Sequence, residues 1–139
     1  MKKDNQIDIF NIFHDGTITN INKKMDTIHL EIEIQYLAEV INEKFNLFYC
    51  ELVECEEFLL EIWGDEKEYT SDLNTMAAYE LEILNAQSSN DGISVSCKSD
   101  EVIGGNLLIK TRSINLYDEN KKEYSLDELA AVCRQYWSK

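Results

Sequence analysis

The 139-residue sequence contains no proline, two histidines and few basic residues, with 13 Lys and Arg against 27 Asp and Glu, for a net charge of −14. This shortage of positive charge argues against binding to a phosphate backbone or an anionic membrane. No apolar run approaches the roughly 18 residues of a membrane span. The N-terminal segment "MKKDNQIDIF" carries acids where a signal peptide would be apolar. These absences predict a cytoplasmic protein without nucleic-acid or membrane partners.

The chain also lacks low-complexity tracts and internal repeats, which predicts one domain spanning residues 1–139. Its four cysteines do not have zinc-site spacing, because Cys50 and Cys55 are separated by four residues and Cys97 and Cys133 have no nearby second ligand. We expect core or surface thiols, with a disulfide or a metal site as the alternatives. No cofactor and no bound metal are predicted.

Short segments of alternating hydrophobicity recur between turn signals. The clearest is "IHLEIEI" (28–34), in which every second residue is apolar, as in a strand with one buried face. Similar alternation occurs in "FNLFYCELV", "EFLLEIW", "YELEIL" and "GISVSC", and "NLLIKT" and "SINLY" add later candidates. In "FNLFYCELV" the apolar positions are expected at Phe45, Leu47 and Tyr49.

Two or three segments favour helices. Tyr36–Lys44 is compatible with two helical turns, and Ser71 or Asp72 could cap a single turn before Tyr79. The C-terminal segment "SLDELAAVCRQYW" has Ser125 and Glu128 at capping-box spacing, followed by an apolar stripe. The pattern predicts an α+β fold: an antiparallel, strongly curved sheet or two-layer sandwich of about eight or nine short strands, with the C-terminal helix packed on it.

The stretch "IFHDGTIT" combines His14-Asp15 with Asp15-Gly16-Thr17. The triplet resembles the Asp-x-Asp-Gly-Thr motif of haloacid dehalogenase-like phosphatases, but Phe13 stands where that family has its nucleophile and can neither attack phosphorus nor hold magnesium. The His-Asp pair resembles that of HD-type phosphohydrolases, which carry a further upstream histidine that this chain lacks. We therefore predict that Asp15-Gly16 is the turn of a β-hairpin between "IDIFNIF" and "TITNI".

His29 alternates with Glu31 and Glu33, so the three side chains share the exposed face of one strand. Such a row could bind a divalent cation, although carboxylates on a wet strand face are usually solvated. A metal-dependent or hydrolytic enzyme that uses His14 and Asp15, or this His29 face, is the alternative function. A structural or assembly subunit is another.

Half of the net charge lies in residues 51–68, "ELVECEEFLLEIWGDEKE", which hold eight carboxylates and one lysine. Like charges on adjacent strands repel, so their concentration favours a docking surface for a basic protein, with aromatic anchors inside an acidic rim. The predicted partner-binding residues are Glu51, Glu54, Glu56, Glu57, Glu61, Trp63, Asp65, Glu66 and Tyr69.

The "IFHDGTI" segment, the middle "YLAE" and the terminal "LDELAAVCRQYW" helix resemble small uncharacterised bacterial proteins. In its size, its acidity and its lack of a catalytic motif, the chain is similar to the immunity proteins of bacterial toxin systems. This resemblance implies a non-enzymatic protein that neutralises a basic, nuclease-like toxin by tight binding. It implies no particular site residues.

Overall fold

The computed structural model describes residues 1–100, 102 and 104–138, and in these residues four helices accompany eight strands. In chain order the elements are α1 (Lys3–Ile12), β1 (Thr17–Lys24), β2 (Thr27–Glu33), α2 (Gln35–Ile41), β3 (Leu47–Ile62), β4 (Glu68–Thr70), α3 (Leu73–Ala78), β5 (Leu81–Ser89), β6 (Gly92–Lys98), β7 (Gly105–Tyr117), β8 (Glu123–Tyr124) and α4 (Leu126–Trp137). The predicted α+β class is therefore confirmed.

All eight strands belong to one antiparallel sheet with the order β4-β3-β2-β1-β5-β6-β7-β8. Strand β3 also pairs with β7, so β3, β2, β1, β5, β6 and β7 form a closed ring. A sheet that closes on itself must be strongly curved, with one face enclosing the apolar side chains. Of the two predicted arrangements, the structure therefore has the curved sheet.

The predicted hairpin at Asp15-Gly16 is wrong, because the segment before it is helix α1. Gln6, Ile9, Phe10 and Phe13 are buried, and their spacing of i, i+3, i+4 and i+7 is that of one helical face. The same segment is rich in β-branched and aromatic residues and precedes Asp15-Gly16, and that composition suggested a strand. Asp15 instead ends the turn that joins α1 to β1, with a positive φ of 71°.

Two pairs of predicted strands are each one long strand. "FNLFYCELV" and "EFLLEIW" merge into β3, and "NLLIKT" and "SINLY" merge into β7, because β3 and β7 pair along almost their whole lengths. The buried residues at the start of β3 are Phe48, Cys50 and Leu52, so the phase predicted for Leu47 and Tyr49 is wrong. A bulge between Cys55 and Glu57 bends β3, with Glu54 at a φ of 49°.

The cap signals of α3 and α4 agree with the structure, whereas α2 ends at Ile41, before the predicted end at Lys44. Helix α3 starts at its Asp72 cap, whose side chain accepts from Thr75 N at 3.0 Å. In the capping box of α4, Ser125 Oγ accepts from Glu128 N at 3.1 Å, and Glu128 Oε1 accepts from Ser125 N at 3.0 Å. The apolar side of α4 packs on the core through the fully buried Leu129.

All four cysteines are free thiols. Cys50 and Cys97 lie in the core, whereas Cys55 and Cys133 are half-buried. Burial raises the pKa of Cys97 to about 12 and that of Cys55 to about 11. Across the described ranges, no helix combines the length and the apolar character needed to cross a membrane.

Candidate functional site

The outer face of strands β1, β2, β3 and β7 carries an open groove of about 460 Å³. Register places its side chains in two rows: Asn22, His29 and Glu51 lie side by side, as do Asn20, Glu31, Tyr49 and Tyr117. We call this surface the outer groove; it is lined by Asn20, Asn22, Lys24, His29, Leu30, Glu31, Tyr49, Cys50, Glu51, Tyr117 and Lys121.

The polar side chains of the outer groove hold one another in place. His29 Nδ1 lies 3.3 Å from Glu51 Oε2, and Asn20 Nδ2 donates to Glu31 Oε2 at 2.6 Å. Partial burial and the neighbouring Glu51 carboxylate raise the pKa of Tyr117. The groove therefore presents two carboxylates and two tyrosine rings that are already oriented.

The row predicted on β2 is divided in the structure. His29 pairs with Glu51 of β3, Glu31 pairs with Asn20 of β1, and Glu33 lies exposed at the end of β2. Within the part of the chain that the structure describes, no three His, Cys, Asp or Glu side chains are grouped so that they could hold a metal ion.

A cation lies inside the outer groove. The Lys121 ammonium is 3.4 Å from the centroid of the Tyr49 ring, a cation–π distance. Lys121 adopts a φ of 67° in the turn between β7 and β8. The buried Asp118 carboxylate fixes that turn by accepting from Asn120 N at 2.8 Å and Lys122 N at 3.1 Å.

Part of the predicted acidic docking surface is neutralised by basic residues of β7. Glu54 Oε1 lies 3.0 Å from Arg112 Nη1, and Glu56 Oε2 lies 3.1 Å from Lys110 Nζ. The hydrogen bond and the charge of Glu56 raise the pKa of Lys110. Glu57 lies opposite Lys110 in the β3–β7 register. The acidic segment is thus less negative at the bulge than its sequence indicates.

Glu61 is part of a polar row across the outer face of the sheet. Its carboxylate accepts from Tyr69 OH at 3.1 Å and from Asn106 Nδ2 at 3.2 Å, and lies 3.9 Å from Lys67 Nζ. The Glu61 side chain is 19% exposed. Glu61 therefore orients Tyr69 and is itself poorly available to a partner.

The loop after β3 is the most exposed part of the predicted surface. Trp63 and Tyr69 flank it with 39% and 51% of their surface exposed, and Asp65 and Glu66 lie between them in solvent. Trp63 packs over Gly104, where an added Cβ would come within 2.7 Å of the indole ring. We call Trp63, Asp65, Glu66 and Tyr69 the acidic loop. It is separate from Glu51, which lies in the outer groove.

His14 belongs to an aromatic cluster that the sequence did not reveal. Its ring stacks on Trp137 at 6.1 Å, and Nδ1 lies 2.7 Å from Asn11 O. Tyr36 OH donates to His14 O at 3.0 Å, and the Tyr36 and Tyr136 rings are 4.6 Å apart. Burial, followed by the charge of Asp15, raises the pKa of Tyr36 to about 12. Through these contacts, α2 and α4 pack against the C-terminal end of α1.

Comparison with models of known protein families, with curated proteins and with solved structures finds no match. The residues of the acidic loop were predicted from the sequence as a docking surface and stay a prediction, whereas Tyr49, Tyr117 and Lys121 of the outer groove were not predicted, because their association depends on cross-strand register.

Proposed function

We propose that this protein is a non-enzymatic binding protein that docks a basic partner protein through the acidic loop. Its most concrete form is an immunity protein that neutralises a nuclease-like toxin in the cytoplasm. The observation that carries the proposal is the exposure of Trp63 and Tyr69 on either side of Asp65 and Glu66.

The arrangement combines two features of a protein-binding surface. Exposed aromatic side chains supply large contact areas and are common energetic hot spots, whereas surrounding charges steer a complementary partner and speed its association. The Trp63 ring packs over Gly104, and Tyr69 OH donates to Glu61, so both rings are held in place before binding. Preorganised anchors lose less conformational entropy when the partner binds.

The charge of the whole chain supports the same class of partner. A net charge of −14 repels nucleic acid and attracts a basic protein at long range. Within residues 51–68, the negative charge of the acidic loop is the most available to a partner. Glu54 and Glu56 are already in ion pairs with Arg112 and Lys110. Four free thiols also support a reducing compartment such as the cytoplasm.

The test is growth rescue combined with direct binding. The product of the gene adjacent to the one encoding this chain is expressed in a host cell alone and together with this chain. We expect toxicity that co-expression relieves, and a complex between the two purified proteins. An adjacent product that is harmless, or that does not bind, would overturn toxin neutralisation.

Variants locate the surface within that complex. Trp63→Ala and the double reversal Asp65→Lys/Glu66→Lys should each weaken binding about tenfold or more, and the reversal should act mainly through slower association. The control is Asp8→Lys/Glu43→Lys, which changes the net charge equally at exposed positions on α1 and after α2. Equal loss in both double variants would mean that overall charge, rather than the acidic loop, determines binding.

A further inference from the structure

The outer groove holds a cation of the chain's own, the Lys121 ammonium against the face of Tyr49. Lys121 is otherwise an exposed residue on a tight turn. Within residues 1–100, 102 and 104–138, Lys121 forms no ion pair with an acidic side chain. The ring face, rather than a carboxylate, therefore positions the ammonium, and a cation from another molecule would find the same face attractive.

We infer that the outer groove binds an arginine side chain of the basic partner, which takes the place of Lys121 on Tyr49. This inference rests on the proposed function, because it supplies a second contact point for the same class of partner. The groove lies on β1, β2, β3 and β7, whereas the acidic loop follows the far end of β3.

The aromatic part of the site is built by two facing tyrosines. Tyr49 and Tyr117 are directly opposite each other on the antiparallel strands β3 and β7. Side chains so paired have Cβ atoms about 5 Å apart, and both rings line the groove. A planar guanidinium can stack on the Tyr49 ring beside Tyr117 while its N–H groups point sideways to acceptors.

The acceptors for those N–H groups are Glu31 and Glu51. Glu31 lies opposite Tyr49 across the β2–β3 pair, and Glu51 is two residues further along β3 on the same face. Each carboxylate offers about four acceptor positions. Asn20 uses one on Glu31, while His29 and Tyr117 approach Glu51. Both carboxylates can therefore still accept from an incoming guanidinium.

The same composition disfavours other ligands. Lys24 and Lys121 would attract an anion, but Glu31 and Glu51, which line the same groove, would oppose it. A lysine side chain would place one compact charge on Tyr49, whereas arginine can stack and donate in several directions at once. We therefore expect arginine to bind more tightly than lysine.

The experiment uses the full chain and N-acetyl-arginine amide as the probe, followed by NMR chemical-shift titration. Binding should be weak and should shift the Tyr49, Tyr117 and Glu51 signals. N-acetyl-lysine amide should bind about threefold more weakly. Absence of shifts in the groove, or equal affinity for the two probes, would overturn the inference.

Lys121→Ala supplies the most specific readout. Removing the resident cation should tighten arginine binding about two- to fivefold, the equivalent of one exposed cation–π contact. A purely structural role for Lys121 would leave binding unchanged or weaken it, and either result would contradict the exchange. Tyr49→Leu should weaken binding about threefold, whereas Tyr49→Phe, which retains the ring, should bind as the wild type does.

The two proposals can fail separately. If N-acetyl-arginine amide does not bind but growth rescue succeeds, the groove inference is wrong and the acidic loop remains the docking surface. If the groove binds arginine but the adjacent gene product neither harms cells nor binds, the toxin proposal fails. Urea unfolding of each variant checks that the fold is retained.

Discussion

Replacement of Asp118 by alanine should destabilise the protein by about 3 kcal/mol. Asp118 is 3% exposed. Its two carboxylate oxygens accept hydrogen bonds from three donors: Asn120 N at 2.8 Å, Lys122 N at 3.1 Å and Tyr124 OH at 2.9 Å. Hydrogen bonds to a charged group contribute about 1.5–3 kcal/mol each when a donor would otherwise stay buried.

The three donors do not contribute equally. Asn120 and Lys122 are exposed, so in Asp118→Ala their backbone N–H groups can donate to water instead. Tyr124 is 7% exposed, so its hydroxyl would lose its partner in that variant. We therefore assign most of the roughly 3 kcal/mol to Tyr124 and a smaller part to the turn. Burial, together with the bond to Asp118, raises the pKa of Tyr124 to about 12, so its hydroxyl stays a donor at neutral pH.

The assay is urea unfolding followed by circular dichroism, with Asp118→Ala, Tyr124→Phe and the double variant as a cycle. Tyr124→Phe should cost about 1 kcal/mol, and the two sites should show a coupling energy of about 1–2 kcal/mol. The midpoint of thermal unfolding of Asp118→Ala should fall by about 10 °C. A loss below about 0.5 kcal/mol, or strictly additive effects, would refute the assignment of Asp118 as the anchor of this turn.

Three further variants test the core, the cap and the aromatic cluster. Phe13→Ala removes a fully buried ring whose centroid lies 5.6 Å from that of Phe48. This substitution should lower the free energy of unfolding, measured in urea, by about 3–5 kcal/mol. Ser125→Ala removes the α4 cap and should cost about 1 kcal/mol, with Ser125→Asp nearly neutral. Folding raises the pKa of Tyr36 from 10.0 to about 12. The stability that the protonated Tyr36 hydroxyl gives the folded protein is therefore complete below pH 10 and is lost as the pH rises to about 12. Tyr36→Phe should reduce that alkaline loss of stability.

The proposals for the acidic loop and the outer groove differ in how much of them was predictable. Trp63, Asp65, Glu66 and Tyr69 are close in sequence, so a local run of acids with two aromatics predicts a shared surface. In contrast, Tyr49 and Tyr117 are far apart in sequence and meet because β3 closes the sheet against β7. Composition alone cannot predict that pairing.

Local chemistry by itself determined the elements whose signals are short-range. The capping box at Ser125 needs two residues three positions apart, and the alternation in 28–34 needs one strand with one buried face, so both were predictable. Segment 7–13 shows the limit of such signals. Its β-branched and aromatic composition favours a strand, whereas the burial of Ile9, Phe10 and Phe13 on one face in the core selects the helix.

The tertiary structure alone decided the pairing of charges and the form of the sheet. Glu54 and Glu56 meet Arg112 and Lys110, and Asn20 meets Glu31, through cross-strand register. Register depends on which faces are buried and on the bulge after Cys55, and these are properties of the closed sheet rather than of any one segment. The number of acidic residues was therefore known from the sequence, whereas the fold determined which of their carboxylates are available to a partner.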